Sequence, residues 1–176
     1  SVIAAARTAV DAGAYGITVH PRPDERHIRY ADAYELAKIL SVEFNIEGNP
    51  FTGKYMEVVC DIRPTQATLV PDTLEAVTSD HGWDLKTNAG GLRPIIKQLQ
   101  SLGIRVSLFM DADCDGIERA KDIGADRIEF YTEPYAKAFA EDQNVEKVLA
   151  QYVEAGVKAD ELGLGINAGH DLNLKN

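Results

Sequence analysis

The sequence is poor in cysteine. Cys60 and Cys114 are the only two, far apart in the chain. They form no CxxC pair and no zinc-finger spacing, so a disulfide scaffold or a structural zinc knot is excluded, and two reduced thiols in a cytosolic protein are expected. Basic residues are also scarce: 18 Lys+Arg stand against 28 Asp+Glu, a formal net charge of -10. That balance argues against a nucleic-acid surface or an anionic membrane surface, both of which need clustered Lys and Arg. No uninterrupted apolar run is long enough to span a bilayer. The opening SVIAAARTAVDAG carries Arg7 and Asp11 among its apolar positions, so it reads as an amphipathic helix rather than a signal peptide. The chain has no initiator methionine, and a longer gene product is expected. No linker, low-complexity segment or composition break is visible, so residues 1–176 are expected to form a single domain. Hydrophobic residues reach 45%, which is ordinary for a globular chain with a sizeable core.

What the sequence does contain is one repeated pattern, a helical stretch that ends in glycine and runs straight into a short apolar segment. DAGAYGITVH, SLGIRVSLFM, DIGADRIEFY and ELGLGINAGH all follow it. Gly13, Gly103, Gly124 and Gly163 stand where a helix stops in a left-handed cap. The strands predicted after them are 17–19, 104–109, 127–130 and 164–167, with two more at 42–46 and 66–70. Leu92, Ile95, Ile96, Leu99 and Leu102 have helical spacing, as do Val145, Val148, Leu149, Tyr152 and Val153, and each set predicts one buried stripe. Ile117, Ala120 and Ile123 mark a shorter helix, and others are expected near 31–40 and 52–62. Met56 and Met110 are expected in or near the core. Alternating helices and strands with short connections imply a parallel α/β sheet with right-handed crossovers. Six strands fit either an open doubly wound sheet or part of a (β/α)8 barrel, which typically needs about 250 residues.

In parallel α/β folds the chemistry sits beyond the carboxyl ends of the strands. His20, Glu47, Glu129 and His170 fall there, with Asp111 and Asp113 at the end of a further strand. With His81 in the loop after strand 66–70, three of the four histidines and two glutamates gather at one end of the predicted sheet. Imidazole titrates near neutral pH, and a carboxylate beside it can orient it or take a proton. Arg22, Arg26, His27 and Arg29 make a local cationic spot after His20. It suits a phosphate or carboxylate, or else the arginines pair with Asp24, Glu25 and Asp32. Asn88-Ala89-Gly90-Gly91 is expected to precede a helix, as a plain cap or as a phosphate-holding N-terminus. The segment 71–91, which carries Thr73, Thr78, Ser79, Asp80 and His81, exceeds normal connection length and reads as a lid or binding loop.

GITVHPRPDERHI, FNIE, ATLVPDTLEAVTSDHGWDL, GIRVSLFMDAD, GADRIEFYTEPYA and LGLGINAGHDLN occur in this order. Together they resemble the pyridoxine 5′-phosphate synthase family over nearly the whole chain. The combination of GITVH-x-R, NxE and NAGH is specific, whereas GITVH alone is not. The resemblance implies a cytoplasmic, homo-oligomeric (β/α)8 barrel, of which this chain supplies about six β/α units. It implies condensation of 1-deoxy-D-xylulose 5-phosphate with 3-amino-2-oxopropyl phosphate to pyridoxine 5′-phosphate, phosphate and water, with no metal or organic cofactor. By motif, His20 and Glu47 are similar to the family's acid/base residues, His170 to its proton donor, and Glu129 to the carboxylate that supports the transition state. Arg22, His27 and Thr78 are similar to contacts with the deoxyxylulose phosphate. Three departures accompany the resemblance. The family's opening strand, with its Asn-x-Asp-His motif, and its last strand with the Gly-rich phosphate loop have no counterpart here. Asp171 replaces a glycine after NAGH, at the contact to the aminoketone phosphate, where a carboxylate must turn away or be paired. GNPFTGKYMEVV after Glu47 lengthens one loop. Two other readings remain open at this point: a metal-dependent aldolase or epimerase using His20, Glu47 and His170 as ligands, and a barrel fragment that binds a phosphorylated metabolite without turnover.

Overall fold

A computed structural model describes residues 1–73 and 78–176. Six parallel strands, β1 (Gly16–Val19), β2 (Glu43–Gly48), β3 (Gln66–Leu69), β4 (Arg105–Met110), β5 (Arg127–Phe130) and β6 (Gly165–Ala168), pair in strict chain order. The helices between them are α2 (Tyr30–Ile39), α3 (Tyr55–Ile62), α4 (Leu85–Ser101), α5 (Cys114–Asp122), α6 (Glu133–Glu141) and α7 (Val145–Glu161), and α1 (Val2–Asp11) precedes β1. This order decides between the two architectures. A doubly wound sheet reverses its strand order at a switch point. Here every crossover advances one strand in the same direction, so the helices all fall on one face and the sheet curls away from them. The result is an incomplete (β/α)8 barrel.

Alternation along the strands separates core from lumen. Phe44 and Ile46 on β2, Ala67 and Leu69 on β3, Val106, Leu108 and Met110 on β4, and Ile128 and Phe130 on β5 face the helices and form the apolar core. The intervening positions, among them Asn45, Glu47, Thr68, Ser107 and Glu129, line the concave face. The central strand β3 is buried at every position, whereas the edge strand β6 alternates between half-buried and exposed. Leu92, Ile96 and Leu99 of α4 are fully buried, as their spacing requires. Truncating any of them to alanine typically costs about 2–5 kcal/mol. Met110 is buried, and Met56 packs against the core. The four glycines expected to cap helices all have positive φ, from 67° to 99°.

Three readings of the sequence need correction. Asn88–Gly91 does not precede a helix but lies inside α4, whose N-cap is Asp84; the Asp84 carboxylate accepts from the Lys86 N–H at 3.0 Å. Two glycines and Pro94 argue locally against helix there. Burial of Trp83 and Leu85 beneath the first turn outweighs them. The long connection is correspondingly shorter, and its residues 74–77 lie outside the described ones. Two helices, α6 and α7, join β5 to β6, the short one opening at Glu133-Pro134-Tyr135 as the sequence suggests. On α7 the expected stripe is not the buried one: Leu149 and Val153 are exposed, while Ala155 and Ala159 are fully buried. This helix lies at the end of the arc against α5, α6 and β6, and small residues give the closest approach there.

Candidate active site

His20 directly follows β1, Glu47 is the penultimate residue of β2, Glu129 is the third residue of β5, and His170 follows β6. Curling of the sheet brings these strand ends together over the lumen. His20 Nδ1 lies 3.9 Å from Glu47 Oε2. That is too long for a hydrogen bond, and the surroundings disfavour an ion pair. Burial, with Arg22, Arg26 and His170 nearby, lowers the His20 pKa to about 4, against the raising effect of Asp72. Burial also holds Glu47 well above the usual carboxylate range, and the neighbouring Glu129 and Asp72 charges push it the same way. Glu129 is raised too, mainly by burial, while its hydrogen bond with Glu47 and the proximity of His170 act against the rise. The two buried carboxyls lie within hydrogen-bond reach, so ionising one opposes ionising the other and the pair holds a proton beyond the usual carboxylate range. The mouth of the barrel therefore sets an imidazole that resists protonation against a carboxyl that resists ionisation.

The backbone beneath Glu47 is pinned. Tyr55 Oη donates to the carbonyls of Ile46 (3.0 Å) and Thr68 (3.3 Å), tying β2 to β3. Its ring packs flat on Gly48, where a Cβ would come within 2.2 Å of Tyr55 Cδ2. Only glycine admits the ring at that approach.

His170 is held from several sides. Its Nδ1 meets Asp171 Oδ2 at 2.6 Å, its carbonyl accepts from the Thr132 hydroxyl, and Phe109 and Tyr131 contact its ring edge-on with centroids 5.8 and 5.6 Å away. The Asp171 carboxylate is an acceptor, so Nδ1 carries a proton and Nε2 is turned to Thr78 Oγ1, 3.4 Å away. Asp171 has φ +60°, the left-handed region that glycine occupies most easily. Its carboxylate is paired with His170.

The cationic loop after β1 is largely paired. Arg26 contacts Asp24 at 3.3 Å and Arg29 contacts Asp32 at 3.0 Å, as the pairing alternative expects, whereas Glu25 instead accepts from the Tyr30 N–H. Buried Arg22 meets Asp72 at 2.5 Å, a partner not foreseen; Asp72 also accepts from the Ser79 hydroxyl, and its carbonyl from the Asn49 amide. That cluster joins the loops after β1, β2 and β3, including the lengthened loop that follows Glu47. His27 is exposed on its loop. His81 pairs with Asp80 on the surface. Asp111 accepts from the Gly82 N–H and Asp113 caps α5, so both have structural duties. Among the described residues no group of three His, Cys, Asp or Glu side chains converges to hold a metal ion, so the three-ligand set of the metal alternative is not assembled.

A family model for the pyridoxal phosphate biosynthesis protein PdxJ matches residues 1–176. The chain belongs to this family. It is 55% identical to pyridoxine 5′-phosphate synthase of Cytophaga hutchinsonii over 164 residues, covering 93% of this chain and 68% of that protein. It is 49% identical to the Christiangramia forsetii enzyme of the same name over 176 residues, covering all of this chain and 73% of that protein. Among solved structures, the N-acetylmannosamine-6-phosphate 2-epimerase of Clostridium perfringens superposes with a TM-score of 0.53 at 13% identity, over 96% of this chain and 80% of that one. This last likeness concerns the barrel alone.

Within this PdxJ chain, sequence reasoning missed Asp72 and Asn49 around Arg22, and named Ser79 in the long loop without a partner. It quoted Asn45 in the NxE motif without a role for it. The available signal was strand alternation: Asn45 and Glu47 are two apart on β2 and must share the lumen face. Asp72 and Asn49 lie in loops, where no periodicity marks a side chain's direction.

Proposed function

We propose that the protein is a pyridoxine 5′-phosphate synthase, condensing 1-deoxy-D-xylulose 5-phosphate with 3-amino-2-oxopropyl phosphate. The observation that carries this reading is the juxtaposition of His20 with the buried Glu47–Glu129 pair at the strand ends, in a chain of the PdxJ family. Joining an amine to a ketone, dehydrating the adduct and closing an aromatic ring needs both a base and an acid at the same pH. Unlike environments supply them: His20 takes a proton, and Glu47 gives one. Glu129 keeps the shared proton on the pair and stabilises positive charge when the proton has left. His170, with Nδ1 committed to Asp171, presents Nε2 to the substrate and acts as proton donor in its doubly protonated form, whose charge Asp171 pairs. Arg22, His27 and Thr78 bind the deoxyxylulose phosphate, and Asp171 stands at the aminoketone phosphate. The reading carries with it two small phosphorylated substrates, a cytoplasmic location and a homo-oligomeric assembly. No helix among the described residues is long and apolar enough to cross a membrane.

The test is product formation by protein from the full reading frame, given both substrates, with His20→Asn and Glu47→Gln in parallel. Pyridoxine 5′-phosphate from the parent that disappears in both variants supports the assignment. A folded parent protein that makes no product overturns it.

A further inference from the structure

A chain of hydrogen bonds crosses the lumen from the bottom of the barrel to Glu47. Arg105, the first residue of β4, donates from Nε to Gln66 Oε1 at 2.8 Å, and its Nη groups are clamped by Glu43 at 3.3 and 2.5 Å. Gln66 Nε2 donates to Thr68 Oγ1 at 3.3 Å, Thr68 Oγ1 donates to Asn45 Oδ1 at 3.0 Å, and Asn45 Nδ2 points at Thr18 Oγ1 (3.3 Å) and Glu47 Oε1 (3.5 Å). Gln66, Thr68 and Asn45 are all buried. Every link runs the same way, and the reason lies at the start. A guanidinium has donors only. It forces Gln66 to present its oxygen, which leaves the Gln66 amide nitrogen for Thr68. The hydroxyl, having accepted there, spends its single proton on the Asn45 oxygen. Asn45 is then left with its N–H groups toward Glu47.

We propose that Arg105 is a positioning residue for Glu47, acting through Gln66, Thr68 and Asn45 so that the carboxyl meets an N–H and not a carbonyl. A donor at that oxygen favours the ionised carboxylate. It counterbalances burial and the neighbouring Glu129, so the proton of Glu47 can leave for a substrate and return. The importance of this for turnover rests on the acid role given to Glu47 above; the orientation itself does not. The titratable groups facing Glu47 are Glu129 on β5, His20 after β1, Asp72 after β3 and Tyr55 on α3. None of them is altered in the test that follows.

Gln66→Glu keeps the shape and reverses the chain. The new carboxylate accepts from both Arg105 and Thr68, the Thr68 oxygen then accepts from Asn45, and Asn45 turns its carbonyl to Glu47. The Glu47 titration is read from the side-chain carboxyl ¹³C shift in glutamate-labelled protein, assigned by its loss in Glu47→Gln. The midpoint is expected to rise by about one pH unit, a tenfold gain in proton affinity. The added charge alone would also raise it, so the same substitution is made in a Thr68→Val background, where the relay is cut, and most of the rise is expected to vanish. An equal rise in both backgrounds, or none in either, overturns the proposal. Should Gln66→Glu fail to fold, Thr68→Val by itself must raise the midpoint by freeing the Asn45 amide, and an unchanged midpoint overturns the proposal equally. The readout needs no turnover, so a protein that makes no pyridoxine 5′-phosphate still decides it.

Discussion

Glu47 on β2 and Glu129 on β5 meet across the lumen, although two strands of the sheet lie between them. On a flat sheet strands three places apart are about 14 Å apart, beyond side-chain hydrogen bonding. Curvature alone brings the two carboxyls together, and burial then makes them hold a proton.

One expectation concerns Glu47→Gln. The folded pKa of Glu47 lies well above the usual carboxylate range because of burial first and Glu129 second. Above pH 4.5 the unfolded chain has released a proton that the folded protein still binds, so stability falls as pH rises through the folded value. The amide carries no such proton. Denaturant titrations at pH 5 and pH 8 are expected to show parent stability falling between them and the variant's changing less. Turnover should drop by about 10²–10⁴.

His20 has the opposite linkage. Burial lowers its pKa from 6.5 to about 4, so the unfolded chain binds the proton first as pH falls. Stability is therefore lost between pH 6.5 and 4, by roughly 3 kcal/mol in all. His20→Asn should flatten that part of the curve, as followed by chemical denaturation from pH 7 to 4. An unchanged slope would show that His20 is not buried neutral.

The Arg22–Asp72 pair is buried on both sides, with Ser79 donating to the same carboxylate oxygen. Asp72→Ala leaves a buried guanidinium without that partner and is expected to cost about 3–5 kcal/mol. The double variant Asp72→Ala with Arg22→Met should recover a good part of it, because an apolar side chain of similar length needs no counter-charge. A full double-mutant cycle measures the coupling.

Asp171→Gly suits the backbone, whose φ is +60° at this position, and removes the carboxylate from His170 Nδ1. The KM for 3-amino-2-oxopropyl phosphate is expected to fall as the negative charge goes, while kcat falls because His170 loses its orientation. Steady-state kinetics separates the two effects.

Much of the fold was readable from residue spacing. Glycine-terminated helices followed by short apolar runs marked four of the six strands, because a left-handed cap and a buried parallel strand each demand particular residue types. The same reasoning brought out His20, Glu47, Glu129 and His170, since strand alternation and strand ends fix where such side chains emerge. Spacing failed where long-range packing outweighed local preference. α4 runs through two glycines and a proline because Trp83 and Leu85 are buried at its start, and α7 buries alanines rather than its valine stripe because it ends the arc.

The sequence alone settled which groups stand at the mouth of the barrel, because local chain geometry places them there. Tertiary structure decided what state those groups are in. Whether a carboxyl keeps its proton depends on burial and on its neighbours, and those neighbours come from strands and loops far away in the chain: Glu129 for Glu47, Asp72 for Arg22, and Arg105 for the amide that faces Glu47.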